Sequence, residues 1–380
     1  MKILILDPEK DVSHRISKDT SGGYGTGNDF GDTPVPIFLK KTLKKVHDWP
    51  PMFALYSMSV LKKIGHDVKY QKSLPNNYEV FDLFIIVSSI VCCETECEFI
   101  EKLSKLNKRI FVIGPFATNM PKKYCDAGGT VIVGEPEFFF LKFQDLDQVE
   151  KKNQITFDHD FSLDDLPYPD WESVIKNNKT SLLFGTDKSL PILATRGCPY
   201  SCFKYCVYPL QQGRKPRQRE PKLIVDELEY WNKEFDVKMF IFRDPVFSIN
   251  KKHTIEFCNE LINRNLNIRF VIETHLRILD SDLIKILKQA GLKAVKVGVE
   301  SFDEEVLKAS GRFSVTQDQQ LEKIRELEKN KVQVSAMYIL GFPTDTDETI
   351  NKTINYSKKL NTTYAQFSVW TPYPGTPVYN

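Results

Sequence analysis

Ala194-Thr-Arg-Gly-Cys-Pro-Tyr-Ser-Cys-Phe-Lys-Tyr-Cys-Val-Tyr-Pro209 is the stretch around which the rest of the chain is arranged. Three cysteines, Cys198, Cys202 and Cys206, fall within nine residues, just after an apolar run, Ile192-Leu193-Ala194, that reads as a short buried strand. On a straight helix the first and last of them would stand about 12 Å apart, and Pro199 favours a loop over continued helix. A loop that wraps as it leaves a strand end lets the three thiolates converge. Three thiolates suit an iron–sulfur cluster, or zinc completed by a distant His. Three free cysteines beside a turn is the inert alternative. With three thiolates rather than four, one metal position stays open to a further ligand.

The 380 residues suffice for two or three domains with ample core. Lys and Arg number 52 against 50 Asp and Glu, a net charge of +2, and this balance gives no reason to expect a nucleic-acid partner. No apolar run reaches the roughly 18–20 residues of a membrane span, so no integral membrane segment is expected. Met1-Lys-Ile-Leu-Ile-Leu-Asp7 is too short for a signal peptide and reads as a first strand. Clustered cysteines without a secretory signal favour metal over disulfides and hence a reducing, cytoplasmic setting.

Residues 1–140 alternate short apolar runs with helical patterns, which predicts a Rossmann-like parallel α/β layer. Strands are expected at Lys2–Leu6, His66–Tyr70, Leu83–Val87, Ile110–Ile113 and Thr130–Val133, with helices at Phe53–Ile64, stopped by Gly65, and at Glu94–Leu106. Such sheets bind ligands beyond the carboxyl ends of their strands. That selects Asp7–Gly31, Ser88–Cys93, Gly114–Thr118 and Gly134–Glu137. The first segment holds Ser21-Gly-Gly-Tyr-Gly-Thr-Gly27. It does not join strand directly to helix, so a phosphate loop and an ordinary surface loop both fit it. Cys93 and Cys97 share a helix face; together with Cys125 they offer a second metal site, or they are small buried hydrophobes.

Residues 141–188 are polar and carry Asp164-Asp-Leu-Pro-Tyr-Pro-Asp-Trp171, which predicts an extended linker. From 189 to 380 the pattern strand, loop, helix repeats six times. The expected strands are Pro191–Thr195, Val237–Phe242, Ile268–Ile272, Ala294–Val299, Val332–Leu340 and Ala365–Trp370, with helices including Pro221–Phe235, Lys251–Arg264, Ser281–Ala290 and Gln317–Lys329. Six units make a partial (β/α)6 barrel of the TIM type, whose active face is the carboxyl end of its strands. Polar residues gather at those ends: Arg243-Asp244, Glu273 and His275, Glu300-Ser301, Gly341-Phe342-Pro343, and Thr371-Pro-Tyr-Pro-Gly-Thr-Pro377.

The cysteine stretch resembles the radical S-adenosylmethionine (SAM) enzymes, in which three Cys hold a [4Fe–4S] cluster and the fourth iron takes the amino and carboxylate groups of SAM. It departs from the usual spacing by one residue. Phe203, Lys204 and Tyr205 separate the second and third Cys, where two residues are usual. Gly298-Val-Glu-Ser301, Leu340-Gly-Phe-Pro343 and Pro372-Tyr-Pro-Gly-Thr-Pro377 are similar to the barrel motifs of the cobalamin-type members. The resemblance implies metal ligation by Cys198, Cys202 and Cys206. It implies SAM contacts from Glu300 and Ser301 near the ribose and from Gly341, Phe342 and Pro343 near adenine, with Tyr205, Glu273 and Arg312 as further contacts, Arg312 toward the carboxylate.

Pro50-Pro-Met-Phe-Ala-Leu-Tyr56, Leu61-Lys-Lys-Ile-Gly-His-Asp-Val68 and the strand-end segments look like the cobalamin-binding domain that precedes many radical SAM barrels. Cobalamin contacts are therefore implied for Ser88, Ser89, Gly114, Pro115, Gly134 and Glu135. No His stands in an Asp-x-His-x-x-Gly motif, so that motif supplies no cobalt ligand. The implied activity is a cobalamin-dependent radical SAM methyltransferase that cleaves SAM to a 5′-deoxyadenosyl radical. Its partners would be a small-molecule substrate and an electron donor such as flavodoxin or ferredoxin. Cyclisation or rearrangement without methyl transfer, and a non-catalytic Fe–S or cofactor-binding protein, are the alternatives.

Overall fold

The computed structural model describes residues 1–9, 15–28, 33–35, 38, 49–150, 152–175, 188–313 and 315–379. The chain divides into two compact units, Met1–Thr180 with Leu210–Gln212, and Ser181–Pro209 with Gly213–Asn380.

In the first unit, strands β1 (Lys2–Leu6), β2 (Asp67–Gln71), β3 (Leu83–Val87), β4 (Arg109–Ile113), β5 (Thr130–Ile132) and β6 (Gln154–Ile155) form one parallel sheet in the order β2-β1-β3-β4-β5-β6. The central strand β3, Leu-Phe-Ile-Ile-Val, is buried along its whole length. A parallel strand covered on both faces has no solvent side, so it reads as a continuous apolar run. Helix α1 (Met52–Lys63) buries most of its residues. Helix α2 (Cys93–Lys105) buries only the stripe Cys93, Glu96, Ile100 and Leu103. Glu94 and Glu96 in its first turn and Lys102 and Lys105 in its last complement the helix dipole.

The linker expected at 141–188 is folded in its described part. Gln154–Ile155 adds β6 to the sheet edge, and Phe157 packs on Phe139 of α3 (Pro136–Lys142) with centroids 5.5 Å apart. Trp171 is fully buried, and the Ser59 hydroxyl donates to the Tyr168 carbonyl at 2.6 Å. Two prolines kept the stretch extended, but aromatic side chains anchor it. A second feature not expected is an antiparallel hairpin, Arg15–Ser17 with Thr26–Asn28; the glycine-rich Ser21–Gly27 segment forms its connection up to Gly25 and enters the second strand at Thr26. Of the Asp7–Gly31 segment, residues 10–14 and 29–31 lie outside the described residues.

In the second unit, β7 (Ser189–Ile192), β8 (Met239–Phe242), β9 (Arg269–Thr274), β10 (Leu292–Glu300), β11 (Gln333–Leu340) and β12 (Tyr364–Val369) form a second parallel sheet in simple chain order. Helices α4 (Pro221–Phe235), α5 (Lys251–Arg264), α6 (Ser281–Gln289), α7 (Glu304–Ala309), α8 (Gln317–Lys329) and α9 (Asp347–Leu360) lie between successive strands. This is the partial (β/α)6 arrangement, and six units leave β7 and β12 as edges. Helix starts are specified locally. Asn250, Asp280 and Asp303 accept backbone N–H groups, and Thr316 and Thr346 form capping boxes. Phe242, Phe247, Phe257 and Phe270 form an aromatic core, with Phe242 and Phe247 centroids 4.6 Å apart. Each such ring, fully buried, contributes about 1.5–3 kcal/mol relative to exposure.

Candidate functional site

The cysteine loop begins where β7 stops. The strand expected through Thr195 ends at Ile192, because buried Asp244, just past β8, takes the next amides out of the sheet. Its Oδ1 accepts the backbone N–H of Ala194 at 2.8 Å and that of Thr195. Burial pushes the Asp244 carboxyl up to about 7. Thr195–Arg196 then pairs antiparallel with Arg217–Gln218, and this two-stranded neck closes the loop between them. Arg219, at the foot of the neck, pairs with buried Glu227 of α4, donates to the Leu193 carbonyl at 3.0 Å, and offers its own carbonyl to His253 Nε2 at 2.6 Å. An i,i+8 pair of this kind has no local signature, and sequence reasoning missed it.

Gly197 sits at φ +91°, and a Cβ there would stand 2.3 Å from the Lys215 carbonyl oxygen. Only glycine lets the two sides of the loop approach this closely. The Cys198 N–H reaches the Gly213 carbonyl at 3.2 Å, the Cys206 N–H reaches the Cys202 carbonyl at 3.0 Å, and the Ser201 hydroxyl donates to the Gly311 carbonyl at 2.7 Å. All three cysteines are free thiols, with Cys198 and Cys202 buried and Cys206 half-buried. Cys202 is held below the usual thiol range, first by the hydrogen bond with Cys206 and then by Arg312. The same pairing and burial push Cys206 up, and burial pushes Cys198 up.

Arg312 is the centre of the polar constellation. Its Nη1 lies 3.9 Å from Cys202 Sγ, its Nη2 donates to the Gly298 carbonyl at 2.8 Å, and the same nitrogen is 3.5 Å from Glu300 Oε1. Glu300 ends β10 at φ +67°, a conformation uncommon outside glycine, next to a register shift against β11. The turn aims its buried carboxylate back at Arg312. A Cβ at Gly298 would fall 2.3 Å from Glu300 Oε1, so the glycine of Gly-Val-Glu-Ser makes room for the pair. Burial raises the Glu300 carboxyl, and Arg312 opposes that shift.

Among the buried polar atoms with no hydrogen-bond partner among the described residues are Tyr205 Oη and Arg312 Nε. Both can donate, and a buried unpaired donor costs about 1–3 kcal/mol. A carboxylate-bearing ligand would satisfy them. A cavity of about 550 Å³ opens beside Arg312, with Ser201, Ser301, Phe313, Gln320 and Tyr356 among its lining residues. His275 adjoins it through Phe313, donating from Nε2 to that residue's carbonyl at 2.8 Å while Nδ1 accepts the Arg277 N–H at 3.1 Å. Burial, with Arg312 nearby, brings His275 down to about 4, so it is neutral at pH 7.

The structure thus brings together Cys202, Tyr205, Glu300 and Arg312. Phe342 joins them by its ring, 5.9 Å from Tyr205, and Trp370 lies 5.1 Å from Tyr205. Gly341, at φ +83°, and Phe342 both donate their N–H groups to Asp345 Oδ2 at 2.9 Å, while Pro343 is exposed. Ser301 is committed to its own turn, accepting the Asp303 N–H at 3.1 Å. Glu273 pairs with Lys296 on the neighbouring strand at 3.4 Å.

In the first unit most of the expected ligand-facing residues lie inside. Ser88 and Ser89 are fully buried: Ser88 Oγ accepts the Ala117 N–H, and Ser89 Oγ donates to Glu96 at 2.7 Å. A Cβ on Gly114 would meet Phe53 and Ser88 at 2.8 Å, and Pro115 packs beneath Gly23 of the hairpin. Gly134 differs, with nothing within 4 Å of where its Cβ would stand; Glu135 beside it is buried. Lys18 ties the hairpin down through buried ion pairs with Asp7 and Glu96, each at 2.8 Å. Cys93 and Cys97 contact one another, while Cys125 Sγ turns to the Asn153 carbonyl at 3.1 Å.

Among the described residues no group of three His, Cys, Asp or Glu side chains stands close enough to share one metal ion. In a cubane cluster each thiolate meets a different iron, so the three sulfurs need not converge on a single point.

Residues 192–357 match the radical SAM superfamily model. An uncharacterized methyltransferase of Pyrococcus horikoshii is 25% identical over 364 residues, 87% of this chain and 78% of that protein. An anaerobic magnesium-protoporphyrin IX monomethyl ester cyclase of Cereibacter sphaeroides is 32% identical over 56% of this chain, which spans 34% of the cyclase. The radical SAM methyltransferase TsrM of Kitasatospora setae, solved with cobalamin and a [4Fe–4S] cluster bound, superposes with a TM-score of 0.68 at 16% identity, over 99% of this chain and 74% of TsrM. That last likeness is one of fold. No helix among the described residues is long and apolar enough to cross a membrane.

Proposed function

We propose, on the premise that residues 192–357 belong to the radical SAM superfamily, that this chain is a cobalamin-dependent radical SAM enzyme that methylates a small molecule. The observation that carries the reading is the loop of three free thiols beside two unsatisfied buried donors, Tyr205 Oη and Arg312 Nε. Cys198, Cys202 and Cys206 would hold a [4Fe–4S] cluster. Arg312 and Tyr205 would take the carboxylate of SAM, Phe342 would supply an apolar wall, and Glu300 would orient Arg312. When bound and reduced, the cluster supplies the electron that opens SAM to a 5′-deoxyadenosyl radical. The chain's own contribution is to position and to exclude water. The aromatic cluster of Tyr205, Phe342 and Trp370 closes one side, and the neck below Gly197 holds the thiols.

Cobalamin belongs to the first unit in this reading. Gly134 supports it as the strand-end residue with open space above its backbone. With no Asp-x-His-x-x-Gly motif in the sequence, this chain would offer cobalt no ligand from that source. An external electron donor of the flavodoxin or ferredoxin type and a reducing compartment follow from the cluster, and a near-neutral charge supports a substrate other than nucleic acid. A second reading, ring formation without methyl transfer, is favoured by the 32% identity to the cyclase.

Anaerobic reconstitution should load about four irons per chain, as three-Cys loops of this kind imply. The triple variant Cys198→Ala, Cys202→Ala, Cys206→Ala should lose them; retention of iron and spectrum would overturn the assignment. Reduced enzyme given SAM labelled in its methyl group should release 5′-deoxyadenosine. Label appearing in the product supports methylation, and an unlabelled cyclised product supports the second reading.

A further inference from the structure

The contact between Arg312 and Cys202 joins two residues that the proposed function uses for different things, one for SAM and one for iron. Arg312 has five N–H donors in a fixed fork. Nη2 is spent on the Gly298 carbonyl and Glu300, and Nε is left for a ligand. Nη1 lies 3.9 Å from the Cys202 sulfur. Three features hold it there. The Gly298 carbonyl fixes one end of the guanidinium, Glu300 is turned toward it by its left-handed backbone, and only 12% of the side chain is exposed. The geometry is therefore set before any ligand arrives.

We infer that Arg312 is a positioning and tuning residue for the cluster itself: its Nη1–H donates a hydrogen bond to the Cys202 sulfur and raises the potential at which the cluster accepts an electron. Hydrogen bonds to cluster sulfurs and the net charge around them set the potential of an Fe–S centre. A cationic donor on the thiolate draws off negative charge and favours the reduced, more negative state. Glu300 tempers this effect by sharing the same guanidinium, so the two residues act on the cluster in opposite directions. The inference rests on the proposed cluster ligation by the three cysteines, and it concerns the protein without SAM.

The test is a redox titration of reconstituted protein, free of SAM, followed by electron paramagnetic resonance of the reduced cluster. With Arg312→Gln, the ratio of reduced to oxidised cluster at a fixed poise should fall about tenfold, equal to 59 mV for one electron. Glu300→Gln should move it the other way, and Arg312→Lys, which keeps the charge, should recover part of the loss. An iron-loaded Arg312→Gln protein with the wild-type potential overturns the inference while leaving the cluster assignment standing. Failure of the wild type to load iron removes the assignment instead. A measurement on the wild type alone guards against variants that do not load. With arginine labelled by 15N, the reduced cluster should show electron–nuclear coupling to a side-chain nitrogen; absence of that coupling also overturns the inference.

Discussion

Asp244 Oδ1 accepts the backbone N–H of Ala194 at 2.8 Å, from a carboxyl with no solvent exposure. With its second bond, to the Thr195 N–H, it decides where β7 ends and the cysteine loop begins. Replacing Asp244 by Ala leaves two buried amides without an acceptor. At about 1–3 kcal/mol for each unsatisfied group, the loss is several kcal/mol. Asp244→Asn keeps a carbonyl oxygen for them and should cost less. Chemical denaturation of the apo-protein, alongside iron loading after reconstitution, checks this. Equal stability and equal iron in Asp244→Ala and wild type would sink it.

Gly197→Ala should disturb the same loop from its other side. The new Cβ meets a backbone oxygen at 2.3 Å, and the residue stands at φ +91°. Neither strain can be relieved by a side-chain rotation, so the neck between Thr195–Arg196 and Arg217–Gln218 must open. We expect loss of most reconstituted iron with the rest of the second unit still folded, since the strained residue lies outside the six-stranded sheet. Iron quantitation together with far-ultraviolet circular dichroism separates this from general unfolding.

The pH dependence of stability carries two opposing signatures. Burial raises Asp244 to about 7 in the folded state, so between about 4 and 7 the folded protein holds a proton that the unfolded chain has released. Stability then falls as pH rises through that window, by about 1.4 kcal/mol for each pH unit crossed. His275 is lowered to about 4, so below 6.5 the unfolded chain takes up a proton that the folded protein refuses, and stability rises with pH from about 4 to 6.5. The two slopes partly cancel in the wild type. Asp244→Asn should therefore gain stability with rising pH relative to wild type, and His275→Gln should lose that rise. A flat difference between each variant and wild type across pH 4–7 would refute the assignment for that residue.

Gly114 and Gly134 should respond oppositely to bulk. At Gly114 the space is already filled by Phe53 and Ser88, so Gly114→Trp should destabilise the first unit outright. Gly134 has open space around its missing Cβ, although φ +100° makes any side chain somewhat strained. Gly134→Trp should leave a cooperative unfolding transition while weakening hydroxocobalamin binding, read by its visible spectrum. Unchanged binding in a folded Gly134→Trp protein would remove Gly134 from the proposed cofactor site.

Much of the architecture was legible along the chain. Leu83–Val87, Pro221–Phe235, Lys251–Arg264 and Gln317–Lys329 begin and end where their apolar period and flanking residues say they should. The signals are local: alternation of buried and exposed positions, Asn, Asp and Thr at helix starts, and Gly or Asn just past helix ends. The cysteine loop was legible for the same reason, since its three thiols lie within one short segment. Legibility failed where a segment's fate depended on a distant partner. The 141–188 stretch reads as a linker because its prolines are near, while Ser59, whose hydroxyl donates to the Tyr168 carbonyl, stands 109 residues away in the chain.

By itself, then, the sequence determined two parallel α/β units and a three-cysteine loop at the end of a strand, because periodicity, caps and spacing act within a few residues. Tertiary structure alone decided which polar groups meet. It set Arg312 against both Cys202 and Glu300, ended β7 through Asp244, and buried Ser88, Ser89 and Gly114 while leaving Gly134 open. The physical reason is that a buried charge or amide must find its partner in space. In a parallel α/β fold, the strand ends that supply those partners are separated by whole helices in the chain.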